Sequence, residues 1–338
     1  MREKGFRFLV GLVIITAATG CDNVAFGGIQ VELRAPPPPP GSAPVEGALD
    51  LTAPLDLGSI LYLVERFEDS QASIVPVAVL ADRGYRALPD SSQLPGLLDR
   101  FPLGRWEPGT EFTLFAQGVR AGTFITDGTS EVDASTCQAR PRAVGRIELR
   151  PEAVSQQRFL ALTPVDVPSS SGPLTPGLIE DAPLRAAATG LAQRLIPEMG
   201  VQWPPSIPAI RRDLQPIVLE SGGAAGLAVS FVYGDGLVVG PPTRRLAYSL
   251  FILAEATPAR YEPVFAWYQR YDSRGKAFPR FLAAHDAHGI GAPDALLEVF
   301  GESARWLAIV GPQEGQWRVL FQDGCGVPAS ADGLRTFP

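Results

Sequence analysis

The chain is poor in the residues on which most enzymatic chemistry depends. It has two histidines, His285 and His288, so any Ser-His-Asp or Cys-His mechanism must run through one of them. No G-x-S-x-G elbow, H-E-x-x-H helix or phosphate-cradling G-x-x-x-x-G-K-[ST] loop occurs, and no cofactor fingerprint is present. Lysine is nearly missing: only Lys4 and Lys276 stand among 29 basic residues. With abundant Ala, Gly and Pro, that bias speaks of codon supply in a GC-rich genome and not of function. Long apolar runs are lacking too. The one at the start, Phe8 to Ala18, is about 11 residues where a spanning helix needs ~20. Cysteine is scarce, at three in 338 residues, a length sufficient for one large or two medium domains.

What is present begins with that start. Arg2, Lys4 and Arg7 form a charged front, Phe8 to Ala18 an apolar middle, and Ala18-Thr19-Gly20-Cys21 a small-residue end. This pattern resembles the lipobox of a bacterial lipoprotein, with Ala18 where leucine is usual. The resemblance implies a signal peptide over residues 1–20, cleavage before Cys21, and lipidation of Cys21 by diacylglycerol, with a further acyl chain such as palmitate in many bacteria. It implies a cell-envelope protein anchored to the inner or outer membrane, with its globule on the extracytoplasmic, periplasmic side. Asp22 is similar to an inner-membrane retention signal. Residues 21–43 then read as a lipidated tether, in which Pro36 to Pro40 favour polyproline II and span about 16 Å as a stiff spacer.

Removing residues 1–20 takes away three basic residues and one acidic residue, leaving 26 Lys+Arg against 35 Asp+Glu, net −9. That balance argues against anionic partners such as nucleic acid or bare phospholipid headgroups. With Cys21 lipidated, Cys137 and Cys325 remain. In an oxidising compartment two such cysteines most simply form a disulfide bond, the alternative being two free buried thiols. Linking positions 188 apart would be worth about 4–5 kcal/mol in the chain-entropy model.

The rest predicts a mainly β protein with one well-defined helix (α+β). Residues 44–166 carry short Ile/Val/Leu/Phe/Tyr-rich segments (59–67, 73–80, 111–118, 123–125, 144–149, 159–162) separated by turn clusters such as Thr126-Asp127-Gly128-Thr129, a spacing that suggests a β-sandwich or barrel-like lobe. Residues 167–180 read as a linker, rich in serine and proline. Residues 181–338 form a second lobe, antiparallel β with a packed helix. Asp181 can cap that helix, Pro183 fits its first turn, and Leu184, Ala188, Leu191, Leu195 and Met199 share a core-facing stripe before Gly200 ends it. Strands follow at 215–219, 226–233, 245–255, 261–271, 295–300, 306–310 and 317–321. Two hairpins turn at 256–259 and 311–315.

Between those hairpins, Asp286-Ala287-His288-Gly289-Ile290-Gly291-Ala292-Pro293-Asp294 leads into an apolar strand. The loop resembles those of FG-GAP and VCBS-type repeats, in which oxygens at positions one, three, five and nine wrap a calcium ion and glycine at six makes the turn. Asp286, Gly291 and Asp294 match positions one, six and nine, whereas His288 and Ile290 replace ligands. Two carboxylates do not supply the six to eight oxygens calcium wants, so the loop reads as a degenerate cation loop that has lost its ion. His285, Asp286 and His288 could instead hold a transition metal. Without a second ligand cluster they read as a solvated turn, and no metal is expected. The function expected is a lipid-anchored, non-catalytic binding or scaffold module with no catalytic residue assigned. Its partners are the membrane, through the anchor, and an envelope protein. The alternative is an envelope hydrolase using paired carboxylates in a cleft between lobes, which leaves no local sequence signature.

Overall fold

The computed structural model describes residues 54–82, 84–89, 96–168, 181–219, 224–328 and 333–337, all within one compact unit that begins at Asp50. The expectations at Cys21, the proline run and most of the 167–180 linker lie outside the described residues. The chain is mainly β, 49% strand against 13% helix, and its sheets are antiparallel.

The first seven strands are β1 (Ile60–Arg66), β2 (Gln71–Ala81), β3 (Gly84–Arg86), β4 (Glu111–Ala116), β5 (Val119–Asp133), β6 (Arg140–Leu149) and β7 (Arg158–Leu162). Their order is β1-β7-β4-β5-β6-β2-β3, and β1 also pairs with β2, so six strands close into a barrel and β3 folds back on β2 as a hairpin. Closure removes the open edges that a free sheet would present. A barrel this narrow is filled by side chains, here Tyr62, Ile74, Phe112, Leu114, Phe124 and Phe159 among others, with Phe101 and Trp106 packed into the same core. Close strand crossing needs glycine: a Cβ on Gly145 would lie 2.2 Å from the Ile125 carbonyl oxygen.

Thr126-Asp127-Gly128-Thr129 does not end a strand. The ladder to β6 pauses there and resumes from Ser130 to Asp133, paired with Ala143 to Arg140. Asp127 Oδ1 accepts from the Thr129 amide and hydroxyl, so the side chain satisfies the bulged backbone locally and the strand continues. The second half of β5 and the start of β6 thus form an arm.

After the helix Asp181–Glu198 the chain lays down β8 (Arg211–Ile217), β9 (Gly226–Tyr233), β10 (Tyr248–Ala256), β11 (Tyr261–Arg270), β12 (Phe278–His285), β13 (Asp294–Phe300), β14 (Arg305–Gln313), β15 (Gln316–Gln322) and β16 (Leu334–Thr336). Two sheets result, β16-β11-β10-β9-β8 and β12-β13-β14-β15. The helix covers one face of the first with Leu184, Ala188, Leu191 and Leu195, the expected stripe, and Gly200 ends it at φ +63°. The other face, through Phe251, Leu253, Phe265 and Trp267, packs on Phe281, Leu297, Trp306 and Ala308 of the second sheet. The opposite face of that second sheet, through Leu282, Leu296, Leu307 and Ile309, packs on Leu61, Val75, Phe115 and Leu160 of the barrel. The layers are therefore helix, sheet, sheet and barrel. A sheet covered on both faces needs apolar residues at successive positions, and all seven residues of β13 are buried.

Strand β12 is the element the sequence hides. Pro279 lacks an amide donor and interrupts the pattern, but β12 is an edge strand of its sheet, where that loss is tolerated. The neighbouring sheet bonds two carbonyls along this edge: Ser230 donates to Pro279 O at 2.8 Å and Ser249 to Ala277 O, just before the strand, at 2.6 Å. The hairpin expected at 311–315 turns only at Glu314-Gly315, both at positive φ, while Gly311 and Pro312 stay in β14 opposite Arg318 and Trp317.

Candidate functional site

Where the arm reaches from the barrel toward β13 and β14, it walls a cleft of about 220 Å³. The floor is apolar, built from Leu63, Val75, Leu282 and Leu307, one each from β1, β2, β12 and β14. The walls are charged: Glu65, Asp133, Arg140, Arg142, Glu298 and Arg305. Pockets for drug-sized ligands run to roughly 300–1,000 Å³, so this volume suits a small molecule or an inserted side chain.

The charges are already partnered. Glu298, 5% exposed, places its two oxygens against Arg280 and against Arg305 Nη1 at 2.7 Å. Glu65 accepts from Arg158 Nε at 2.9 Å, and Asp133 Oδ1 from the Ser135 amide at 2.7 Å. Arg142 pairs with Glu131, and Arg305 Nε donates to Ser135 O at 2.6 Å. Deepest is Arg140, 1% exposed, whose Nη2 meets Asp323 Oδ1 while Nη1 donates to Thr136 Oγ1 and Gln138 O. Its Nε–H has no partner among the described residues and is the one buried guanidinium donor lining the cleft without one. Beside it Cys137 and Cys325 are joined by a disulfide, and the Cys137 amide donates to Arg305 O at 2.7 Å. The expected cysteine pair thus fastens the tip of the arm to the segment after β15.

The loop singled out in the sequence sits elsewhere, at a second joint between barrel and sheet, with its tip at Ile290 and Gly291 exposed and its two ends buried. His285 ends β12, 1% exposed, its ring stacked on Phe115 at 3.6 Å between centroids, and neither nitrogen has a partner among the described residues. His288 lies 3.1 Å from Gly84 O and tilts against Tyr85. Asp286 accepts from the Ile290 and Gly291 amides at 2.9 and 2.7 Å, and Gly291 takes the turn at φ +90°. Asp294 accepts from Tyr85 Oη at 2.6 Å. The side chains are thereby spent on the turn and on the β2–β3 hairpin. Among the described residues no three His, Cys, Asp or Glu side chains gather as a metal site.

Asp294 rests over Gly311, where a Cβ would lie 2.0 Å from its Oδ1. Gly311→Ala should therefore break the Tyr85–Asp294 bond and cost roughly 1–3 kcal/mol in urea unfolding. A cost below about 0.5 kcal/mol would mean that Asp294 is not seated there.

The joint also sets a pH profile. Burial, reinforced by Asp286 and opposed by the Tyr85 hydrogen bond, lifts the Asp294 carboxyl from 3.8 to about 7. Burial pushes His285 from 6.5 down to about 3, and lowers the half-buried His288 against the pull of Asp286. Between 3.8 and about 7 the folded chain keeps a proton on Asp294 that the unfolded chain has released, so stability falls as pH rises. Between about 3 and 6.5 the unfolded chain holds the proton on His285, so stability rises with pH. The two oppose each other where the windows overlap, and the native protein should show a shallow profile from about pH 4 to 6.5. Asp294→Asn exposes the histidine limb, rising by up to about 1.4 kcal/mol per pH unit; His285→Phe exposes the carboxylate limb, falling by a similar slope. Urea titrations at several pH values read this directly. Identical profiles for both variants would sink it.

The cleft residues left little trace in the sequence. A lone charge inside an apolar strand was the available signal: Glu298 interrupts Ala295 to Phe300, and Asp323 follows the apolar Val319 to Phe321. No protein-family model, curated protein or solved structure matches this chain.

Proposed function

We propose that the chain is a lipid-anchored protein of the bacterial cell envelope, tethered through Cys21, whose globule is a non-catalytic binding or scaffold module working through the cleft between barrel and sheet. The observation that carries this reading is the state of the cleft acids. General acid or nucleophilic work needs a carboxyl group free to give up a proton or attack. Glu65, Asp133 and Glu298 instead accept from Arg158, the Ser135 amide, and two arginines. An apolar floor under paired charges is the anatomy of a recognition site, with the body of a ligand on the aliphatic side chains and its polar end at Arg142 and Arg305. The Cys137–Cys325 bond supports an oxidising compartment, in keeping with an extracytoplasmic globule.

The test is site-specific photo-cross-linking of the full chain in its own membranes. A cross-linker replacing Glu65, on the cleft wall, should give a discrete adduct, while one replacing Val165, 91% exposed and outside the cleft lining, should not. Equal labelling from both positions, or none from Glu65, would remove the cleft as the binding site. Separately, labelled palmitate should enter the chain and be lost in Cys21→Ala.

A further inference from the structure

Lys276 is the one lysine among the described residues, and it is fully buried. Its ammonium lies 2.7 Å from Asp235 Oδ2, 2.6 Å from Val238 O and 3.3 Å from Gly240 O. All three acceptors belong to one segment, residues 234–247, which connects β9 to β10. The Gly240 amide also donates to Gly301 O, and Leu237 packs with Val232, Tyr271, Phe278 and Phe300 beneath the segment. Burying an ammonium is costly unless it is paired and hydrogen-bonded, and here those bonds draw the backbone inward. The side chains between the anchored carbonyls turn outward: Val238 is 58% exposed and Val239 44%.

The surroundings match. Leu246, 53% exposed, lines a recess of about 160 Å³ with Gly200, Val201 and Gln202, and Trp203 follows at 51% exposure. This end of the first sheet therefore holds four of the ten exposed large apolar side chains among the described residues, whereas Phe67, Val132, Val165 and Ile290 stand apart from it. Arg244 and Arg245 are exposed on the same segment, whereas Arg270 is paired with Asp272 at 2.8 Å, so the segment is cationic in a chain whose net charge is −7. Arg244 lies over the Tyr233 ring at 5.8 Å. The whole-chain charge, which argues against anionic partners, does not describe this patch.

We infer that the segment 234–247 together with Trp203 is a membrane-contact surface, which inserts Val238, Val239, Leu246 and the Trp203 ring at the headgroup boundary of an anionic phospholipid bilayer while Arg244 and Arg245 meet the headgroups. Aliphatic side chains, an amphipathic indole and arginines side by side are what an interfacial site needs. The rigid hold from Lys276 reduces the ordering penalty of insertion. The surface rests on its own geometry and not on the lipid anchor.

Trp203 makes the test clean, because the other four tryptophans, Trp106, Trp267, Trp306 and Trp317, are all buried. The full chain is reconstituted in phosphatidylcholine vesicles with and without phosphatidylglycerol. Brominated lipid should quench Trp203 when phosphatidylglycerol is present, and amide exchange across 234–247 should slow relative to detergent. Both effects should fade at high salt. Val238→Glu with Val239→Glu should abolish both, and Arg244→Ala and Arg245→Ala should each weaken the contact about fivefold. An intact Cys137–Cys325 bond and unchanged exchange in the barrel verify the fold of each variant. Equal quenching and exchange in detergent and in anionic vesicles would overturn the proposal. So would protection of the segment in native membranes but not in protein-free vesicles, which assigns the surface to a protein partner. Failure of the anchor reading shows separately, as chain that no longer floats with vesicles.

Discussion

Opening the Cys137–Cys325 bond, by reductant or by Cys137→Ser, is expected to lower the unfolding free energy by about 4–5 kcal/mol. The bond closes a loop of 188 positions that contains the helix and every strand from β6 to β15. Freeing it returns to the unfolded chain the conformational space of most of the protein, which is why the expected effect is large even if no folded contact changes. The folded state should respond locally. The arm is held by its own ladder from Ser130 to Asp133, by the Cys137 amide on Arg305 O, and by Arg305 on Ser135 O. Amide exchange should therefore rise first in residues 130–143, with the barrel strands β1, β2, β4 and β7 keeping their protection. Denaturant unfolding with and without a phosphine reductant measures the global term. A loss under about 1 kcal/mol would show that the reduced unfolded chain is already compact.

The fold was legible wherever a strand kept apolar residues in sequence and a turn kept its glycine. Glu111 to Ala116, Gly226 to Tyr233 and Gln316 to Gln322 needed nothing from the rest of the chain, and the helix stripe from Leu184 to Leu195 is a local pattern. Barrel closure was not legible, because the β1–β7 and β2–β6 pairings join residues about 70 to 100 positions apart and no local pattern encodes them. Strand β12 was hidden for a related reason: its Pro279 carbonyl is bonded by Ser230, a side chain on another sheet. The candidate site shows the same division. His285, Asp286 and Asp294 attracted attention because their residue types are rare or motif-like, yet their surroundings turn them into a packed joint. The cleft depends on Arg140, Glu298, Arg305 and Asp323, ordinary charges in the sequence, of which Arg140 meets Asp323 across 183 positions and Arg305 reaches Ser135 across 170.

Asp323→Ala should cost about 3–5 kcal/mol, because it removes the counter-charge of a guanidinium that cannot reach water. Arg140 and Asp323 side chains are 2% and 0% exposed. Asp323 also accepts from the Leu307 amide at 2.9 Å, so its loss strands a second buried donor. Asp323→Asn keeps one acceptor oxygen for one of the two donors and sets its NH2 group against the other, so it should recover little of the loss. Arg140→Met with Asp323→Leu removes both charges and should recover most of the loss, since a buried pair replaced by apolar groups is often neutral or better. Coupling to the disulfide is the sharper test. Both devices hold one arm to one segment: Arg140 and Cys137 are three positions apart, and Asp323 and Cys325 are two. Once either is lost, the arm has already loosened and the other has less to hold. Asp323→Ala combined with Cys137→Ser should therefore cost less than the sum of the single losses, by about 0.5–3 kcal/mol. Additive losses would mean that the ion pair supports the wall of the cleft independently of the arm, and a single cost below about 1 kcal/mol for Asp323→Ala would mean that Arg140 finds water or another partner.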